Sequence, residues 1–263
     1  MIIAVPVLGP SMDEILSDVR EIERFADLNK AHRFIAEMRL DSIIQKEGFS
    51  EFLSQEDDSS KFLEGLATTT KLPKIARHES VYKGGRYDIP LEDKTMLLMR
   101  AIDAGFQYVD IGINDEKGYI EDAGAYVERL LSRSVKRATG NVRTKIIINF
   151  TDPEKFPDIE PIYTRMAEMG PDIIKIVVKA SQQEDSRRMV EYIQKYDNTR
   201  SPKFVGICTH TEGLLTRSHG PFYGNYTTYA CLEGKSANSG QLTIPSLLAV
   251  AAQNFTSCLG RKR

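Results

Sequence analysis

Asp172-Ile173-Ile174-Lys175-Ile176-Val177-Val178-Lys179 is the stretch on which the fold turns. The run is β-branched and apolar and too short for an ordinary helix, so it reads as a strand buried on both faces in a parallel sheet. A lysine stands in its middle. Apolar neighbours on both sides desolvate the Lys175 amine, and desolvation disfavours the ammonium. A lysine lowered in this way is a nucleophile toward carbonyl carbon. The competing reading puts Lys175 near a strand end with its amine reaching water. The rest of the chain decides between them.

Working outward, the same strand pattern recurs at 2–8, 32–40, 74–78, 108–113, 145–150, 203–209 and 226–232. Helical spacing occupies 12–25, 56–66, 91–104, 123–138, 159–169, 183–196, 214–217 and 243–255. Ser11 and Glu14 form a capping box ahead of the first helix, whose Ile15, Val19, Ile22 and Phe25 fall on one face. Gly170 ends the fifth long helix as a C-cap. Eight strands alternating with helical segments imply right-handed βαβ units and a parallel sheet. Eight such units close into a (β/α)8 TIM barrel. No G-x-G-x-x-G follows the first strand and no Walker A motif is present, which disfavours an open nucleotide-binding sheet. With no Pro/Gly/Ser-rich linker, residues 1–263 read as a single domain.

Composition narrows the function classes. The chain is 41% hydrophobic and 27% charged, and its formal net charge of −2 gives no case for nucleic acid. No apolar run approaches the roughly 20 residues a membrane span needs. The start, Met1 to Val7, lacks a basic n-region and runs straight into a strand pattern, unlike a signal peptide. Cys208, Cys231 and Cys258 are far apart and lack CxxC spacing. They read as reduced thiols of a cytoplasmic protein, with neither a disulfide framework nor a metal site. The closing Arg261-Lys262-Arg263 reads as a frayed tail.

In such barrels the chemistry gathers at the C-terminal ends of the strands. Glu37 and Arg39 alternate with Met38 and share one side of the second strand. The third strand ends at Arg77-His78, the fifth near Thr151-Asp152, and the seventh at Thr209-His210 with Arg217 soon after. Beyond the eighth lies Lys235-Ser236-Ala237-Asn238-Ser239-Gly240-Gln241. Two or three arginines around one lysine suggest an anionic substrate, because guanidinium binds carboxylate bidentately.

Five of these segments together resemble type I 3-dehydroquinate dehydratase, the Schiff-base enzyme of the shikimate pathway of aromatic amino-acid biosynthesis. They are Glu37-Met38-Arg39, Arg77 with Gly84-Gly85, Lys175 in its strand, Gly213-Leu214-Leu215-Thr216-Arg217, and Ser236-Ala237-Asn238-Ser239-Gly240-Gln241. The likeness spans essentially the whole chain. It implies a hydro-lyase that converts 3-dehydroquinate to 3-dehydroshikimate plus water. Lys175 forms the imine, a base removes the neighbouring proton, and the enamine expels the hydroxyl group. By the same resemblance Arg217 holds the substrate carboxylate, while Glu37, Arg39, Arg77, Gln241 and a serine, Ser236 or Ser239, bind hydroxyl groups. It further implies no metal, no added cofactor and a homodimer.

The chain departs from the family pattern at three places. Thr151 stands where the family has its acid/base histidine, and a hydroxyl does not exchange protons near neutral pH as imidazole does. The segment from Arg77 to Gly84 is two residues longer than the family's, and Lys83 precedes the glycines where the family has glutamate. The last loop carries Asn238-Ser239 in place of a proline. His210 sits where the family usually has glycine and is the candidate replacement acid/base; His78 is a second histidine near the barrel mouth. Two other readings compete: a different class I aldolase-type lyase, or an impaired homologue that binds a quinate-like ligand with Lys175 paired to Asp172 or another carboxylate.

Overall fold

The computed structural model describes residues 1–45, 47–138, 143–196, 199 and 201–260, with side chains to residue 253. Cys258 and the Arg261-Lys262-Arg263 tail therefore lie outside the described side chains. Eight parallel strands form the frame: β1 (Ile2–Val7), β2 (Arg33–Arg39), β3 (Lys74–Arg77), β4 (Tyr108–Gly112), β5 (Lys145–Asp152), β6 (Ile173–Lys179), β7 (Lys203–Thr209) and β8 (Thr228–Cys231). Between them run α1 (Met12–Leu28), α2 (Glu56–Thr68), α3 (Leu91–Asp103), α4 (Ala123–Lys136), α5 (Ile159–Glu168), α6 (Gln183–Lys195) and the short α7 (Leu214–Ser218). The last helix, α8, is Ile244–Gly260. The order around the sheet is β8-β1-β2-β3-β4-β5-β6-β7, with a ninth, two-residue strand, Leu242–Thr243, on the edge of β8 away from β1.

The sheet is curled so that its two ends meet. Among the described residues no ladder joins β7 to β8, and side chains take its place. Tyr226 N–H donates to the Phe204 carbonyl at 3.1 Å. The Asn225 amide accepts from Gly206 N–H at 2.9 Å and donates to the Gly206 carbonyl at 3.0 Å, imitating a strand's paired bonds. Two residues on, Thr216 Oγ1 accepts from Cys208 N–H and Arg217 Nε donates to the Cys208 carbonyl. The exposed edge of β7 is thus satisfied residue by residue, as buried backbone groups must be. An expected barrel of eight strands is found, with one short strand added and one joint closed by side chains.

Alternation along the strands divides the core in two. Ile146, Ile148, Ile174, Ile176 and Val178 pack outward against the helices. Ala4, Ile35, Ile75, Ile147, Ile173, Val177, Val205, Ile207 and Tyr229 fill the barrel interior. Burying each large aliphatic side chain contributes about 1.5–3 kcal/mol. Lys175, between inward Ile173 and Val177, belongs to the inner set. The register places Asn149 beside Lys175 and Arg77 beside Asp110. Ser11 Oγ accepts from Glu14 N–H as expected of the cap, and Gly170 has φ 71°.

Some elements carry no periodic signal. The helical turns Leu40–Ile43 and Phe49–Ser54 and the hairpin Asn114–Asp115/Gly118–Tyr119 are too short to show one. Among the described residues no helix is long and apolar enough to cross a membrane.

Candidate active site

At the C-terminal mouth of the strands lies a narrow pocket. It is lined by Glu37 and Arg39 from β2, Arg77 from β3, Thr151 from β5, Lys175 and Val177 from β6, Arg217 from α7 and Tyr229 from β8; loops add Glu79, Lys83, Asn238 and Gln241. Seven of the residues named from the sequence therefore converge: Glu37, Arg39, Arg77, Thr151, Lys175, Arg217 and Gln241.

Lys175 is 1% exposed. Its Nζ donates to Asp110 Oδ2, lies 3.4 Å from the Tyr229 hydroxyl, and sits 5.1 Å from the Tyr229 ring centroid. It does not snorkel. Burial, and then the positive Arg77 nearby, hold the Lys175 pKa below the ordinary lysine value despite the pull of Asp110. Asp172 plays no part here. It lies ahead of β6, at the opposite end of the barrel, accepting from Ile146 N–H and pairing with Arg143.

Asp110 was not singled out in the sequence, yet it is the hub of the site. Fully buried on β4, it accepts from Lys175 and from Asn149 Nδ2, and from Arg77 Nη1 at 3.2 Å. Burial alone raises a carboxylic acid's pKa; Arg77 and Lys175 outweigh it, so the Asp110 pKa lies below its usual range. The available signal was the one that marked Lys175: a charge inside an apolar strand, Tyr108-Val109-Asp110-Ile111. Arg77 also faces Glu37 at 3.7 Å and bonds Glu79. Arg39 makes a bidentate pair with Asp41, both contacts at 2.9 Å.

Arg217 differs from the other two arginines. It is 2% exposed, and among the described residues its guanidinium hydrogen-bonds to the carbonyls of Cys208 at 3.1 Å and Ser239 at 3.4 Å. Among the described residues no carboxylate pairs with it. Burial lowers its pKa to about 10. A buried cation without a counter-ion is costly, and an anionic ligand relieves that cost.

The expected histidines do not line this pocket. His210 takes φ 67° and ψ −180°, and its Nδ1 lies 3.0 Å from the Thr209 hydroxyl. It is the non-glycine residue with positive φ among the described residues, in a region that only glycine occupies without strain. His78 follows inward-facing Arg77 and so points outward. It lies edge-on to Phe49 and Tyr87, with neither ring nitrogen bonded, and burial lowers its pKa to about 3. Ser236 and Ser239 are exposed and outside the lining; Asn238 and Gln241 face the pocket from that loop. Thr151 Oγ1 lies 3.4 Å from Asn149 Oδ1.

Lys83 was noted in the sequence only as a departure. Here it is a pocket residue, 6% exposed. The double glycine explains its position. Gly84 closes the single turn Val81–Lys83 at φ 88°, and a Cβ on Gly85 would come 2.0 Å from the Glu79 carbonyl oxygen. Gly84-Gly85 thus packs the loop tightly rather than hinging it.

Comparison with known proteins agrees with this geometry. The family model for type I 3-dehydroquinase matches residues 3–256. The 3-dehydroquinate dehydratase of Methanocaldococcus jannaschii is 28% identical over 248 residues, covering 93% of this chain and 95% of that protein. Among solved structures, a type I 3-dehydroquinate dehydratase from Clostridium difficile covalently modified by comenic acid superposes with a TM-score of 0.77. Identity there is 21%, over 97% of this chain and 92% of that one. The 3-dehydroquinate dehydratase of Geobacillus kaustophilus gives 0.75, with 19% identity over 97% and 91%. These likenesses show the same barrel, and the match along nearly the whole sequence shows that the chain belongs to the type I 3-dehydroquinase family.

Proposed function

We propose that this chain is a hydro-lyase that converts 3-dehydroquinate to 3-dehydroshikimate and water, through an imine on Lys175. The observation that carries the reading is a buried, lowered-pKa amine sharing one pocket with a buried guanidinium that has no carboxylate partner. The first is what attack on a ketone needs; the second is what a substrate carboxylate needs. Arg217 anchors that carboxylate. Glu37, Arg39, Arg77 and Gln241 bind hydroxyl groups, and Asn238 supplies the contact that the resemblance gave to Ser236 or Ser239.

The sequence of events follows from the groups present. The Lys175 amine adds to the ketone and loses water to give an iminium. Asp110 stays ionised beside it and stabilises that cation. Removal of a proton from the neighbouring carbon gives an enamine, whose electrons expel the hydroxyl group. Water then hydrolyses the iminium and frees Lys175. The same reading takes residues 1–263 as one domain, located in the cytoplasm and assembled as a homodimer. The family resemblance supports these three points, and sedimentation analysis tests the last.

The test is incubation with 3-dehydroquinate and borohydride, with peptide mass spectrometry and a product assay in parallel. The expected result is a reduced adduct on Lys175 and formation of 3-dehydroshikimate, both lost in Lys175→Met. An adduct without product points to another Schiff-base lyase. Neither adduct nor product sinks the reading.

A further inference from the structure

The proposed reaction needs a group that takes a proton from carbon and later gives one to the departing hydroxyl, and no histidine lines the pocket among the described residues. Glu37 and Glu79 both face Arg77 as ion pairs. Thr151 offers only a hydroxyl. One nitrogen base is left besides the imine-forming lysine.

We propose that Lys83 is the general base and acid of this site, performing with an amine the proton transfers for which the family uses a histidine. The inference rests on the dehydratase reading above. Four observations carry it. Lys83 lines the pocket while 6% exposed. Its Nζ has no hydrogen-bond or ion-pair partner among the described residues, so it is not engaged in holding the fold. The tight turn ending at Gly84 fixes its backbone. Its amine also reaches the end of β4: a Cβ on Gly112 would stand 2.8 Å from Lys83 Nζ and 3.6 Å from Asn149 Oδ1. Gly112 therefore leaves the space in which that amine sits, two residues from the carboxylate that holds Lys175.

The surroundings disfavour the charged form of this amine. Burial comes first; Lys94 on α3, Arg77 on β3 and Lys175 on β6 then add positive charge, and Asp110 on β4 opposes them. The result lies well below the ordinary lysine value. A neutral amine has a free electron pair, and its conjugate ammonium is an acid.

The step balances. Lys83 Nζ takes the proton from the carbon next to the iminium and becomes an ammonium. The C–H pair becomes the enamine double bond, and the iminium π pair becomes the nitrogen lone pair. That lone pair re-forms the iminium as the C–O bond breaks. The departing hydroxyl takes the proton from Lys83, leaves as water, and Lys83 is neutral again. No oxidant, metal or second base is consumed.

Lys83→Met, Lys83→Arg and Lys83→His test this beside the wild type. In Lys83→Met, borohydride is expected to trap the substrate on Lys175 as before, while turnover falls about 100- to 10,000-fold, the usual worth of a general base. Lys83→Arg, which keeps bulk and charge but cannot accept a proton, is expected to fall as far and serves if Lys83→Met does not fold. Lys83→His is expected to recover part of the loss. Wild-type turnover should decline as the pH drops through the lowered Lys83 value, and Lys83→His should move that limb toward the imidazole range. Turnover of Lys83→Met or Lys83→Arg within about threefold of wild type overturns the proposal. So does a folded variant that no longer forms the adduct, since Lys83 would then serve imine formation or binding. A wild type that makes no 3-dehydroshikimate overturns the dehydratase reading, and this proposal with it.

Discussion

At the scale of single residues, a charge inside an apolar strand was the most legible signal, and it was only half used. Lys175 stood out because Ile174 and Ile176 flank it; Asp110, between Val109 and Ile111, carried the same mark. Arg217 lines the pocket. Its lack of a counter-ion was invisible, because pairing is a matter of three dimensions. His210 shows the opposite limit. Position and chemistry recommended it, but its backbone lies at φ 67° and its ring bonds Thr209. Replacing it by glycine removes a strain of roughly 1–3 kcal/mol. His210→Gly is expected to keep turnover within about twofold and to raise the urea midpoint. A hundredfold loss of turnover with intact folding would return His210 to the chemistry.

At the scale of elements, the two that define the site are β4 and the loop after β3. The loop's extra length was visible; where it puts Lys83 was not, because a tight turn with a left-handed glycine is set by backbone geometry that the sequence only permits. The end of β4 supplies Asp110, and two residues on, at the same inward parity, the bare Cα of Gly112. A methyl group there clashes with the far end of one flexible side chain, Lys83 Nζ at 2.8 Å, and meets the Asn149 amide at ordinary contact distance. Gly112→Ala is therefore expected to melt within a few degrees of wild type while turnover drops at least tenfold, through displacement of Lys83 Nζ. Unchanged turnover would mean that the amine does its work elsewhere or does none.

At the scale of the whole molecule, alternating periods of two and 3.6 made the barrel readable, because each unit shows its inner and outer faces in its own sequence. The joint between β7 and β8 was not readable: Asn225, Thr216 and Arg217 replace a ladder with side-chain bonds that leave no periodic trace. His78 bears on overall stability. The unfolded chain takes up a proton there near pH 6.5, the folded chain only near pH 3. Lowering the pH from 7 to 4 thus favours the unfolded state, by about 3 kcal/mol from this residue alone. His78→Leu is expected to remove that part of the acid sensitivity in urea titrations at the two pH values; parallel losses in variant and wild type would refute it. The side-chain joint has a further consequence. Arg217 closes the barrel wall through Cys208 and, on the proposed reading, also anchors the substrate's carboxylate. Occupancy of the pocket and integrity of the wall are then two ends of one thermodynamic coupling. On that reading a ligand held by Arg217 also acts as a clasp on the joint.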